Sequence, residues 1–129
     1  MRLLIAGSRG LRPSFADIDT ALARLATVMG GTIIAGWQPD AVISGGARGV
    51  DTCGEDWARY HGIEVVQHVP EWKVYGKSAG HRRNAAMAED CTAALIWWDG
   101  ESPGTAGMIA MLVRAGKPHV VREKPWTTS

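Results

Sequence analysis

The amino-acid sequence predicts an α/β chain, three layers αβα around a five-stranded, mainly parallel sheet. Five short apolar runs, at Arg2 to Ala6, Ala41 to Ser44, Ile63 to Val69, Ala93 to Trp98 and His119 to Val121, alternate with stretches of helical periodicity. Such runs fit strands covered on both faces. Turns rich in glycine or arginine follow them, where right-handed βα units gather their loops at the carboxyl edge of a sheet.

The first run leads into Gly7-Ser8-Arg9-Gly10, a tight polar turn. Ser14 opens a helix, with Pro13 before it and Asp17 three residues on as capping-box partner. Phe15, Ile18, Leu22, Leu25 and Met29 step by three and four, and Gly30-Gly31 ends this stripe. Residues 32–40 read as loop. The second run enters Ser44-Gly45-Gly46-Ala47-Arg48-Gly49-Val50-Asp51, the stretch around which the chain is organised. A helix follows from Val50 to His61, with Val50, Gly54, Trp57 and His61 on one face. Pro70 closes the third run, and residues 71–80 read as a polar, aromatic loop longer than packing needs. The helix 81–91 carries Arg82, Arg83 and Asn84 in its first turn, where basic residues oppose the dipole and point to a nearby anion. Trp97 and Trp98, adjacent at a strand end, face opposite ways. One of them leaves the core for a ligand pocket, a subunit contact or a helix on the second sheet face. Gly104-Thr105 leads into a last helix with Met108, Ile109, Leu112 and Val113 on one side, ended by Gly116-Lys117-Pro118.

Length and composition fit one domain over residues 1–129. Hydrophobic content of 46% and charged content of 21% are those of a globular protein. The net charge of +1, from 14 basic and 13 acidic residues, argues against a general polyanion-binding surface, so nucleic-acid binding would need a local patch. No run approaches the ~18 apolar residues of a membrane span, and Gly7-Ser8-Arg9 interrupts any signal-peptide core. A cytoplasmic location without membrane contact is expected. Cys53 and Cys91 are expected to be buried free thiols. His61, His68, His81 and His119 lack metal-ligand spacing, so neither a metal nor a cofactor is expected.

Strand, glycine-rich turn and helix together can point backbone N–H groups at an anion, and in the central octet Arg48 adds a planar cation for phosphate. An ordinary strand-to-helix turn whose glycines serve packing is the alternative, and both stay open from the octet alone.

The chain as a whole resembles the SLOG superfamily (the SMF/DprA and LOG proteins), most closely its small YspA-like branch. The matching pieces run in order from Gly7-Ser8-Arg9 through the octet, Pro70-Glu71-Trp72, Gly76-Lys77-Ser78-Ala79-Gly80 and Arg83-Asn84 to Gly104-Thr105. The resemblance implies a Rossmann-like domain that binds a nucleotide or nucleotide-derived ligand, as a sensor or sequestering protein, and that forms homo-oligomers. LOG enzymes instead hydrolyse nucleoside monophosphates, using a glutamate whose place Met108 takes here. A thioether cannot act as acid, base or charge stabiliser, so turnover by an N-glycosidic hydrolase is left open, with no catalytic residue assigned. Asp51, Glu55, Asp99 and Glu101 are the carboxylates available instead; Asp51 and Glu55, four apart on one helix face, read as solvated or capping. DprA-like binding of single-stranded DNA is the other alternative, through Arg48, Lys73, Lys77, Arg82 and Arg83 with Trp72 and Tyr75.

In the expected site, backbone amides of Gly45, Gly46, Ala47, Arg48 and Gly49, and of Gly104, Thr105 and Ala106, hold phosphate at two helix N-termini. Gly7, Ser8 and Lys77 border it, Arg9, Arg48 and Arg83 neutralise it, Thr105 adds a hydroxyl, and Asn84 bonds ribose or base. Trp72 or Tyr75 stacks on the base. Asp51 takes a ribose hydroxyl or ties down its own loop through backbone amides.

Overall fold

The computed structural model describes residues 1–31 and 38–124, so the expectation of loop at residues 32–37 lies outside the described residues. Strands β1 (Arg2–Gly7), β2 (Ala41–Ser44), β3 (Glu64–Gln67), β4 (Ala93–Trp98) and β5 (His119–Glu123) form one sheet in the order β3-β2-β1-β4-β5. Every neighbouring pair is parallel, so the sheet is parallel throughout, and the α/β Rossmann-like arrangement is as expected. Helices α1 (Phe15–Val28) and α2 (Val50–Tyr60) cover one face, and α4 (Ala79–Asp90) and α5 (Pro103–Ala115) the other. Alternate residues of β1 supply the two cores: Leu3 and Ile5 pack towards α1 and α2, Leu4 and Ala6 towards α4 and α5.

Helix α1 starts where its cap demands. The Ser14 hydroxyl accepts the Asp17 N–H at 3.0 Å while the Asp17 carboxylate accepts the Ser14 N–H at 2.8 Å. Within its stripe Ile18 and Leu25 are buried, whereas Phe15 is more than a third exposed and stacks against Tyr60 at 5.3 Å. On α2, Gly54 lets helix and sheet approach closely: a Cβ there would lie 2.6 Å from Ile5 Cγ2. The tryptophan pair divides as the strand period requires. Trp97 is fully buried beside α1 and α2, and Trp98 turns to the other face, its indole N–H donating to the Ser102 carbonyl at 3.1 Å.

Several local expectations need correction. Residues 71–80 are not a structureless loop; they hold a short helix α3 (Trp72–Tyr75) and a single 3₁₀ turn (Gly76–Ser78), and α4 begins at Ala79. Arg83 and Asn84 therefore lie beyond the first turn, so the dipole argument applies to Arg82 alone. The third strand is shorter than the run, because β2 ends at Ser44, which pairs with Gln67. On α5 the buried stripe is Met108, Met111 and Leu112, while Val113 is exposed. Cys91 is buried but Cys53 only partly so; both are free thiols. Asp51 and Glu55 are both buried rather than solvated.

Gly54→Ala is expected to destabilise the fold by about 1–2 kcal/mol, since overpacking costs ~1–3 kcal/mol and better helix propensity returns up to ~1. A urea midpoint equal to or above wild type would show that Ile5 yields freely.

Candidate functional site at the β1–β4 crevice

Because β1 pairs with both β2 and β4, the chain leaves β1 towards α1 on one face and β4 towards α5 on the other. A crevice opens between the two carboxyl ends, the place where open α/β sheets take ligands. It holds a cavity of about 510 Å³, walled by the 7–10 turn, α4 and the start of α5.

Ser8 ties the walls together. It is 2% exposed; its N–H donates to the Trp97 carbonyl at 3.0 Å, and its hydroxyl accepts the Asp99 N–H at 3.2 Å and lies 3.4 Å from the Thr105 hydroxyl. Asp99 in turn fixes the entry to α5, accepting the N–H of Glu101 at 2.9 Å, the N–H of Ser102 at 2.8 Å and the Ser102 hydroxyl at 2.7 Å. Those bonds, the Ser102 N–H foremost, hold the Asp99 carboxyl down to about 2. It is therefore a fixed anion and no proton donor near neutrality. Pro103 has no N–H, and the Ala106 N–H donates to the Ser102 carbonyl at 3.1 Å. The amides of Gly104 and Thr105 are left as the N–H groups at the mouth of α5 without a carbonyl one turn back.

The opposite wall is α4. Gly80, Arg83, Asn84 and Met87 lie three and four apart on one face, and all four border the cavity. Arg83, half-buried, donates from Nη1 to the Gly45 carbonyl at 2.7 Å and from Nε to the Asn84 side-chain oxygen at 2.8 Å. Burial lowers its pKa, the Asp51 charge opposes this, and Arg9 adds to it. Asp51 lies behind the guanidinium and accepts the Ala47 N–H at 3.1 Å. Burial pushes its carboxyl up to about 6, although the Ala47 amide and the Arg83 charge pull the other way. Met87, Met108 and Ile96 form an apolar floor.

Of the residues expected at the site, Gly7, Ser8, Arg9, Ala47, Asp51, Trp72, Arg83, Asn84, Gly104 and Thr105 border this one cavity. Gly45, Gly46, Arg48, Gly49, Lys77 and Ala106 do not. Two amides of the central octet are spent internally: the Gly46 N–H donates to the Ser44 hydroxyl at 3.1 Å and the Ala47 N–H to Asp51. Its glycines serve approach. Gly45 leaves room for Arg83, since a Cβ there would lie 2.4 Å from Nη1. Gly49, at φ +83°, packs under the Arg9 carbonyl, which a Cβ would meet at 2.2 Å. Arg48 is exposed beside this turn, and Lys77 is exposed on the 3₁₀ turn. Glu55 is structural, accepting the Ser44 hydroxyl at 2.7 Å and the Gln67 amide at 2.9 Å. The cavity also includes Asp99, one of the carboxylates available in place of the LOG glutamate, together with His81, Met87, Ser102 and Met111, to which the sequence assigns no role. Ser102-Pro103 after Asp99-Gly100 is a helix-entry signature that marks Ser102. Among the described residues no group of three or more His, Cys, Asp or Glu is placed to hold a metal, and no helix is long and apolar enough to cross a membrane.

Residues 1–75 match the model of YAcAr, the YspA, cpYpsA-related SLOG family. The chain belongs to this family. The matched segment of this SLOG protein runs from β1 to the end of α3, so Arg83 and the start of α5 lie beyond it. The chain is also similar to the Gene 61 protein of Mycobacterium phage D29, at 36% identity over 86 residues, which are 60% of this chain and 66% of that protein. No solved structure gives a significant match. Membership of the SLOG family points to nucleotide-related ligands in general.

Asp51 gives the site a pH signature. A carboxyl whose folded pKa is raised contributes stability that is present below its unfolded pKa and lost as pH rises towards about 6. Between pH 4 and pH 7 wild type is expected to lose about 2–3 kcal/mol relative to Asp51→Asn. Urea unfolding at both pH values reads this directly, and parallel pH profiles for the two proteins would contradict it.

Proposed function

We propose that this SLOG protein binds a nucleotide or nucleotide-derived ligand in the β1–β4 crevice and acts as a ligand sensor or sequestering protein. The observation that supports this most is the meeting of Arg9, Arg83 and the amide groups of Gly104 and Thr105 on one cavity. Two guanidiniums and the positive end of a thirteen-residue helix form a receptor for phosphate. Beside it, Trp72, half-exposed at the lip, offers a stacking surface for a base. Asn84 supplies a side-chain amide for ribose or base, and the thioethers of Met87 and Met108 line the apolar end.

Binding without turnover is the primary reading, because Met108 is buried in the cavity where a LOG enzyme carries its glutamate, and Asp99 is locked as an anion. One observation favours hydrolysis of the N-glycosidic bond as a second reading. Asp51 borders the cavity with a pKa of about 6, suited to proton transfer near neutrality.

Purified protein incubated with the common nucleoside monophosphates, with melting shift and product followed together, tests both readings. The expected outcome is stabilisation without released base for at least one nucleotide. Arg9→Ala is expected to weaken that binding roughly 10- to 150-fold, the loss of one charge-assisted hydrogen bond, whereas Arg48→Ala leaves it unchanged. Release of free base, abolished in Asp51→Asn, would replace the sensor reading with the hydrolase. A panel with no stabilisation would remove both.

A further inference from the structure

A second concavity of about 420 Å³ lies on the other side of α4 from the crevice, bordered by the loop after β3, by Tyr75 of α3 and by Arg82. Arg83 is the one residue common to the linings of the two cavities. Helix α3 contributes an exposed aromatic to each: Trp72 to the crevice and Tyr75, three residues on, to the second cavity.

The second cavity has its own planar platform. The Arg82 guanidinium lies over the Tyr75 ring, 4.4 Å from its centre. It is anchored there, since Arg82 Nε donates to the Ser78 hydroxyl at 3.1 Å and that hydroxyl donates to the Tyr75 carbonyl at 2.9 Å. A guanidinium seated over a phenol ring and exposed on its other side can take a further planar group, and aromatic heterocycles stack well on arginine. Around it Gln67, His68 and Glu71 supply polar edges for hydrogen bonds. His68 is oriented by Asp90, with its Nε2 2.9 Å from the carboxylate, and Asp90 is itself held by Arg2 at 2.9 and 3.0 Å.

A ligand with one base and one phosphate, seated in the crevice, would leave this second platform unused. We infer that the chain recognises a two-headed ligand: two nucleosides joined through phosphate, the link lying against Arg83, one base at Trp72 and the other on the Tyr75–Arg82 pair. This inference rests on the ligand-binding reading of the crevice and adds the second half of the ligand to it. The near-neutral charge of the chain favours a small molecule over a strand, because a strand needs a basic track extending beyond two bases.

The test compares adenosine 5′-monophosphate with diadenosine diphosphate by calorimetry, and repeats the comparison with the guanosine, cytidine and uridine pairs. For the base that binds, the dinucleotide is expected to bind about 5- to 150-fold more tightly than the monophosphate, the worth of one stacked base. Tyr75→Ala and Arg82→Gln, both at exposed positions, should abolish this advantage and leave the monophosphate affinity and the melting midpoint unchanged. Equal affinities for the two probes in wild type, or equal weakening of both by Tyr75→Ala, would overturn the inference. So would a ten-nucleotide single strand that binds more tightly than the dinucleotide with a steeper salt dependence. If Arg9→Ala leaves monophosphate binding untouched, the crevice reading itself fails; if Arg9→Ala weakens it but the second nucleoside adds nothing, the two-headed ligand alone fails.

Discussion

The structure depends on the central position of β1. Paired with β2 on one side and β4 on the other, it is the strand at which the connections change faces, and the change leaves a gap between the ends of β1 and β4. Bridging that gap is the work of Ser8, whose backbone and hydroxyl reach Trp97, Asp99 and Thr105. A buried serine with its polar atoms partnered fixes the spacing of the two walls without filling the space between them. An aliphatic side chain at position 8 would leave the Asp99 N–H without the acceptor that Ser8 supplies.

Around that gap the charges are arranged in depth. Asp99 is stationed at the entry to α5 and consumed by local amides, so it organises the helix mouth. Asp51 sits deeper behind Arg83, where burial makes its negative charge expensive and leaves the guanidinium incompletely neutralised. On the proposed reading, an anion at Arg9 and Arg83 would supply the compensation that Asp51 gives only in part. The glycines of the central octet make this possible indirectly, by admitting the Arg83 side chain and the 7–10 turn into close contact with β2 and α2.

Much of this was legible in the sequence. The alternation of runs and stripes gave the layers, and Ser14 with Asp17 gave the start of α1 to the residue. The arginine after the first strand, the Arg83-Asn84 pair and Gly104-Thr105 were all read as site residues, and they share one cavity. Of the two readings the octet leaves open, the structure favours the one in which Asp51 ties down its own loop. The octet's glycines match a phosphate loop in composition, but Ser44 and Asp51 at its ends take up two of its amides, those of Gly46 and Ala47. Periodicity did not find α3, because four residues are too few to show a stripe. The second cavity was equally hidden, since it joins the loop after β3 to two helices and corresponds to no single motif.

The central claim is that anionic ligand is received by the 7–10 turn and the mouth of α5 and not by the backbone amides of Gly46 to Gly49. The most direct test is an amide-resolved ¹H–¹⁵N NMR titration with ribose 5-phosphate. The account predicts the largest shifts at Arg9, Gly104 and Thr105, with little change at Arg48. Shifts concentrated on Gly46 to Gly49, with Gly104 and Thr105 unmoved, would contradict it.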